Sequence, residues 1–309
     1  MAETAPTDRA VLERHHALVV GDNAWQRRAR LRQALWRERQ GLAVGLHRGA
    51  PLGSRLTEAD GRPPRMANYL TPTIREVVRR ALADRQRGAL FAEPRLWVDL
   101  LSSQPLCFNL FGELAADLEL ATEVCRTWWP RRIEAVESIA FEWSPGRGDL
   151  RYTGTKSAFD VFVTYRGPRG RGFVAIEVKY HEDLRGGAAR NDERYRTLSL
   201  SHRLTSEAAL PELETPPLQQ LWFDHLLALQ MLSVDADHWQ EGLFVVVHPA
   251  ENRHCADAVA RYRELLSRHD TFDVLTLEDA VDGLMRITSA PWVAALRERY
   301  LGEVAPRSN

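Results

Sequence analysis

A chain of 309 residues, 44% of them hydrophobic and 27% charged, is long enough for one large core or two smaller ones, and that balance excludes a disordered or fibrous protein. Lys and Arg number 41 against 42 Asp and Glu, so any attraction to a polyanion must come from a local asymmetry rather than from overall charge. Three cysteines far apart without CxxC spacing exclude a disulfide framework and a structural zinc site; with no apolar segment in "MAETAPTDRAVLERHH" and no apolar run longer than "HLLALQML", a reducing, cytoplasmic setting without membrane contact is expected.

In chain order, helical spacing covers residues 8–18, 24–40, 72–87 and 94–101. Between the second and third of these lies the Gly- and Pro-rich "GLHRGAPLGSRLTEADGRPPRM", which reads as a long loop. Residues 1–90 hold 17 Arg against 9 Asp plus Glu, so the N-terminal third is basic and the remainder carries the compensating negative charge. In "WQRRARLRQALWRER", Trp25, Leu31, Leu35 and Trp36 supply the buried stripe. Its arginines either contact phosphates or form a solvated face packed on the rest of the chain. Residues 1–105 are thus expected to be a helical, Arg-rich region and 106–309 the core.

After the turn-like "SSQPLCFN", residues 111–127 show helical spacing in Leu114, Leu118, Ala121 and Val124, ended by "WWP". Three strands follow. "AVESIAFEWS" alternates Ile139, Phe141 and Trp143 against Glu142, and "AFDVFVTYR" and "GFVAIEVKY" are joined by the turn material "GPRGRG". "PPLQQLWFDHLLALQML" is a helix apolar around most of its circumference, and "EGLFVVVHP" is a central strand covered on both faces. A helix near 253–268, the short strand "FDVLTL" and a helix near 291–300 complete the order. The expected fold class is α/β: a mixed sheet flanked by helices, with a mostly helical N-terminal region.

The second and third strands carry an unusual set of charges. Residues two apart on a strand share a face, so Glu177 and Lys179 project together, and a turn within 167–171 permits Asp160 to lie opposite. Two carboxylates in a partly apolar sheet repel unless a cation is present. Lys179 offsets part of that charge, and a divalent ion such as Mg2+, which prefers carboxylate oxygens with waters, offsets the rest. Of the 41 basic residues only Lys156 and Lys179 are lysine. A chain that otherwise uses Arg keeps these two in the hairpin region, where a compact ammonium and a planar guanidinium are not equivalent.

Asp160 followed, after sixteen intervening residues, by Glu177-Val178-Lys179, on adjacent strands flanked by helices, resembles the PD-(D/E)XK nuclease superfamily, of the restriction-endonuclease-like fold. Residues 111–248 reproduce that family's helix, three-strand meander, helix and strand. Phe159 stands where the family often has Pro, which leaves the neighbouring Asp160 intact. "FEWSPG", "AFDVF", "EVKYHEDL" and a Gln on the following helix resemble as a set an uncharacterised bacterial branch. The resemblance implies that Asp160 and Glu177 hold Mg2+, with Mn2+ as a substitute, while Lys179 orients or polarises the attacking water. Glu142, the acidic residue of the neighbouring strand, is a candidate further ligand, and Gln220 a candidate for contacting substrate or supporting the lysine.

The reading is a Mg2+-dependent phosphodiester hydrolase acting on nucleic acid, DNA rather than RNA, with the Arg-rich N-terminal helices holding the backbone. The alternatives are a catalytically inactive nucleic-acid-binding protein of the same fold and a hydrolase of small phosphates. Glu113 reads as a solvated helix carboxylate, His225 as a buried helix histidine, and Trp128 and Trp129 as core. "EDLRGGAARNDERYR" reads as a loop, and Gly186-Gly187 alone is no phosphate-binding signature.

Overall fold

The computed structural model describes residues 8–184 and 193–302. At its centre are five strands: β3 (Ala135–Trp143), β4 (Phe159–Gly167), β5 (Gly170–Val178), β6 (Glu241–His248) and β7 (Phe272–Thr276), after an N-terminal hairpin of β1 (Val44–His47) and β2 (Ala50–Leu56). The sheet runs in the order β3-β4-β5-β6-β7. Its first three strands are antiparallel, and β6 and β7 join in parallel. The meander expected from the sequence is present, turning at Pro168-Arg169 between the paired Gly167 and Gly170.

Alternation along the strands makes two cores. Val161, Val163, Ile176, Val178, Val245 and Val247 face the helices Ser103–Ala116, Leu118–Trp128, Leu277–Ile287 and Pro291–Tyr300. Phe162, Phe173, Ala175, Phe244 and Val246 face Gln219–Val234 and Arg253–Leu265. β6 is buried along its whole length, which explains its unbroken apolar run. Among the described residues, no helix is long and apolar enough to cross a membrane.

Three expectations are corrected. The supposed loop at 45–66 contains β1, β2 and the short helix Glu58–Gly61. The hairpin turns at Arg48 and Gly49, both with positive φ, and a Cβ at Gly45 would meet Leu56 O at 2.1 Å, so this glycine permits pairing rather than signalling a loop. "SSQPLCFN" is helical from Ser103: Ser102 accepts from Gln104 N at 3.3 Å, and Pro105 falls in the first turn, where a missing N–H costs nothing. The single helix expected at 111–127 is two, broken at Asp117, which leaves helical geometry and caps Glu119 N and Leu120 N. The helix Leu277–Ile287, absent from the sequence reading, has its signal in Thr276, which accepts from Asp279 N at 3.0 Å.

The Arg-rich helix, Ala24–Arg39, also differs from its expected stripe. Its buried side includes Arg30, Gln33 and Arg37 beside Trp25 and Trp36, while Leu31 and Leu35 are only partly buried. Arg30 meets Asp22 at 2.6 Å and Ser54 Oγ at 2.9 Å, and Arg37 donates to Gly53 O and Leu42 O. Arg28 and Arg39 lie 3.5 Å from Glu251 and 3.0 Å from Glu298. Many of these arginines are therefore fastened internally. Trp25 Nε1 donates to Tyr180 O at 3.1 Å and Gln26 Nε2 to His181 O at 3.3 Å, tying the helix to the turn just after β5. Arg30→Ala would leave Asp22 buried without this ion partner, an expected cost of about 3–5 kcal/mol in denaturant unfolding. A change below about 1 kcal/mol would show that the pair contributes little.

Candidate active site

Asp160, Glu177 and Glu142 stand in one row across the sheet. Val161 pairs with Ile176 and Phe162 with Ala175, so the register sets Asp160 opposite Glu177. Phe141 pairs with Val161 and Trp143 with Phe159, which sets Glu142 beside Asp160 on the other flank. Directly opposed strand residues hold their Cβ atoms about 5 Å apart. Asp160 and Glu177 share the parity of Phe162 and Ala175 and thus lie on the face covered by the Gln219–Val234 helix.

Lys179 Nζ lies 2.6 Å from Glu177 Oε1. Gln220, in the first turn of the covering helix, closes the pair: its Nε2 donates to Glu177 Oε1 at 2.7 Å, and its Oε1 accepts from Lys179 Nζ at 3.0 Å. Turning the amide over would set its NH2 against the ammonium and its carbonyl against the carboxylate, so both partners specify one orientation. Asp160 Oδ2 accepts from Val178 N at 2.8 Å.

The charges act on two of these groups in opposite senses. Burial and the adjacent Glu177 raise the Asp160 carboxyl well above its ordinary range, and Lys179 with the Val178 N–H only partly opposes them. Burial pulls Lys179 down, but Glu177, Glu182 and Asp160 outweigh it and raise the group. The neighbouring carboxylates thus favour the ammonium form of Lys179.

Two carboxylates that the sequence reading did not single out belong here. Glu182 accepts from Tyr180 N at 2.9 Å, His181 N at 3.1 Å and Ser103 Oγ at 2.9 Å. Burial pushes it up, yet Lys179 and these donors hold it below the usual carboxylate range. Asp224 lies one turn beyond Gln220 on the same helix face. It is buried, its Oδ2 has no hydrogen-bond partner among the described residues, and burial with the charge of Glu177 raises it well above normal. The i, i+4 spacing of Gln220 and Asp224 was the available signal.

These groups line a cleft of about 750 Å³ that also takes in Glu142 and both lysines of the chain. Glu142 has φ +50°, in the left-handed region, and its Oε1 accepts from Leu90 N at 3.2 Å and Arg147 Nη2 at 3.3 Å. The structure therefore puts Glu142 in the cleft wall but does not gather it with Asp160 and Glu177 into one ligand set. Among the described residues, no three His, Cys, Asp or Glu side chains form a cage for a metal ion. Asp160 and Glu177 nevertheless fit a hard divalent ion that keeps several waters: they are opposed carboxylates at an open cleft, and their repulsion remains imprinted on Asp160.

Glu113 lies elsewhere, accepting from Thr71 Oγ1. His225 is buried between Tyr262 OH and Thr271 Oγ1, each at 3.0 Å, and burial pushes it down to about 3, so it is a neutral core residue. Trp128 and Trp129 are core, as expected. Of the loop expected at 182–196, residues 185–192, with Gly186 and Gly187, lie outside the described residues.

Among known proteins, the family model described as PD-(D/E)XK nuclease superfamily matches residues 20–302, reaching well into the N-terminal region that the sequence reading set apart. No curated protein and no solved structure matches the chain.

Proposed function

The chain belongs to the PD-(D/E)XK nuclease superfamily, and on that premise we propose that it hydrolyses phosphodiesters in DNA, in preference to RNA, with Mg2+ or Mn2+ held by Asp160 and Glu177. The observation that supports this reading best is the joining of Asp160, Glu177, Lys179 and Gln220 in one open cleft by register and hydrogen bonds. When bound, a divalent ion offsets phosphate charge and acidifies water.

The protein's own groups supply the rest. Lys179, kept charged by three carboxylates, donates to the attacking water or to the charge that develops on the phosphate. Gln220 holds both the ammonium and Glu177 in place, so neither needs to reorganise during reaction. The Val178 N–H fixes Asp160. Glu182, itself fastened to the start of the Ser103–Ala116 helix, adds to the field on Lys179.

The test is incubation of purified protein with labelled single- and double-stranded DNA and RNA in Mg2+, Mn2+ or EDTA. Cleavage with either metal, its loss in EDTA and faster cutting of DNA are expected. Binding of polynucleotide with no cleavage under any of these conditions would favour an inactive binding protein of the same fold.

A further inference from the structure

The cleft poses an electrostatic difficulty for the substrate it is proposed to take. Six carboxylic side chains line it, Glu142, Asp160, Glu177, Glu182, Asp183 and Asp224, with Glu142 already paired to Arg147, against the lining cations Arg95, Lys156 and Lys179. Lys179 is already committed to Glu177 at 2.6 Å. A polyanion entering this cleft therefore needs positive charge beyond that of Lys179 and one divalent ion. The basic N-terminal helix is a poor source, because Arg28, Arg30, Arg37 and Arg39 are engaged with groups of the protein itself.

Resting on the nuclease reading, we propose that Arg95 and Lys156 form a two-point clamp for the polynucleotide backbone, each binding a phosphate that flanks the one to be cut. Both side chains line the cleft, both residues are exposed, and neither has an ion-pair partner among the described residues. They come from separate parts of the fold: Arg95 from the Glu93–Val98 helix of the N-terminal region, Lys156 from the segment entering β4, four residues before Asp160.

Each cation also stands on anchored backbone. Leu96, Trp97 and Val98, which follow Arg95, are buried in the N-terminal core. Lys156 O accepts from Arg147 Nη1 at 3.1 Å, and the same guanidinium donates through Nη2 to Glu142 O at 2.7 Å. A fixed base with a free charged end suits phosphate positioning, since the ordering cost falls on the side chain alone. The clamp gives the chain's other lysine a charge-only role that does not itself require lysine. A phosphate contact needs charge and reach, which Arg supplies as well as Lys.

The test uses the full chain with a labelled DNA duplex, binding being followed by fluorescence anisotropy in EDTA across a KCl series. Arg95→Ala and Lys156→Ala are expected to raise Kd several-fold. Each should reduce the slope of log affinity against log salt by about one, and the double variant by about two. In Mg2+ at saturating substrate kcat should stay near wild type while KM rises, and Lys156→Arg should restore both KM and salt slope. A double variant that melts like wild type but keeps the wild-type slope and KM, while wild type cleaves, overturns the clamp alone. A wild-type protein that neither binds nor cuts any polynucleotide overturns the nuclease reading and the clamp with it.

Discussion

Asp160→Asn and Glu177→Gln are each expected to reduce metal-dependent cleavage by on the order of 100- to 1000-fold, the scale of losing one preorganised electrostatic group, while the fold persists. Asn can still accept from Val178 N, and Gln can still accept from Lys179 Nζ, so the local bonds have replacements. Each change also removes one of two opposed carboxylates whose repulsion raises Asp160. For Asp160→Asn the thermal midpoint should therefore stay level or rise, as happens when a destabilising functional site is neutralised, whereas Glu177→Gln leaves the buried Lys179 without its nearest carboxylate and should lower it. Undiminished cleavage in both variants would reject the site. A large fall in the midpoint of Asp160→Asn would instead make that carboxylate a structural element.

Lys179→Arg is the second large effect. An exposed ion-pair arm would tolerate the exchange, since such pairs are worth about 0–1 kcal/mol. Lys179 is only 8% exposed, and its Nζ is held at 2.6 Å from Glu177 and 3.0 Å from Gln220. Because its neighbours keep it an ammonium, the expected loss does not come from an inability to shed a proton. It comes from shape: a planar guanidinium cannot occupy the same point between Glu177 and Gln220, and displacement by about 1 Å can cost on the order of 100-fold in rate. Overpacking the site should also lower stability by about 1–3 kcal/mol. Single-turnover cleavage and denaturant unfolding measured together separate the two effects. Wild-type rates in the Arg variant would mean that Lys179 contributes charge alone. Lys156→Arg, at an exposed position, is the matched control.

The opposition of Asp160 and Glu177 was legible because a strand has period two and the "GPRG" turn is short, so register follows from local chemistry. β6 was legible for a similar reason: an unbroken apolar run bounded by Gly and Pro has few other readings. Asp224 was not. The Gln219–Val234 helix is buried along most of its length and around its circumference, so its apolar pattern does not say which side meets the sheet. Glu182 was hidden in a charged stretch, and only the approach of Ser103 from a distant helix shows that it is partly buried and hydrogen-bonded. The arginines of Ala24–Arg39 misled in another way. Counting charge along the chain cannot reveal that Asp22, Ser54 and Glu251 neutralise or bind them after folding. At 45–66 glycines and prolines read as breakers in sequence, whereas Gly45 allows a close strand approach and Gly49 turns the hairpin.

The most direct measurement is Mn2+ binding by electron paramagnetic resonance, in which free Mn2+ is titrated with wild type and with Asp160→Asn at equal concentration, each shown to be folded by its thermal transition. If Asp160 and Glu177 hold the ion, wild type should deplete the free signal in proportion to protein and Asp160→Asn should lose most of that depletion together with cleavage. Equal Mn2+ binding by the two proteins, with metal-dependent cleavage intact in both, would contradict a metal site built on this carboxylate pair.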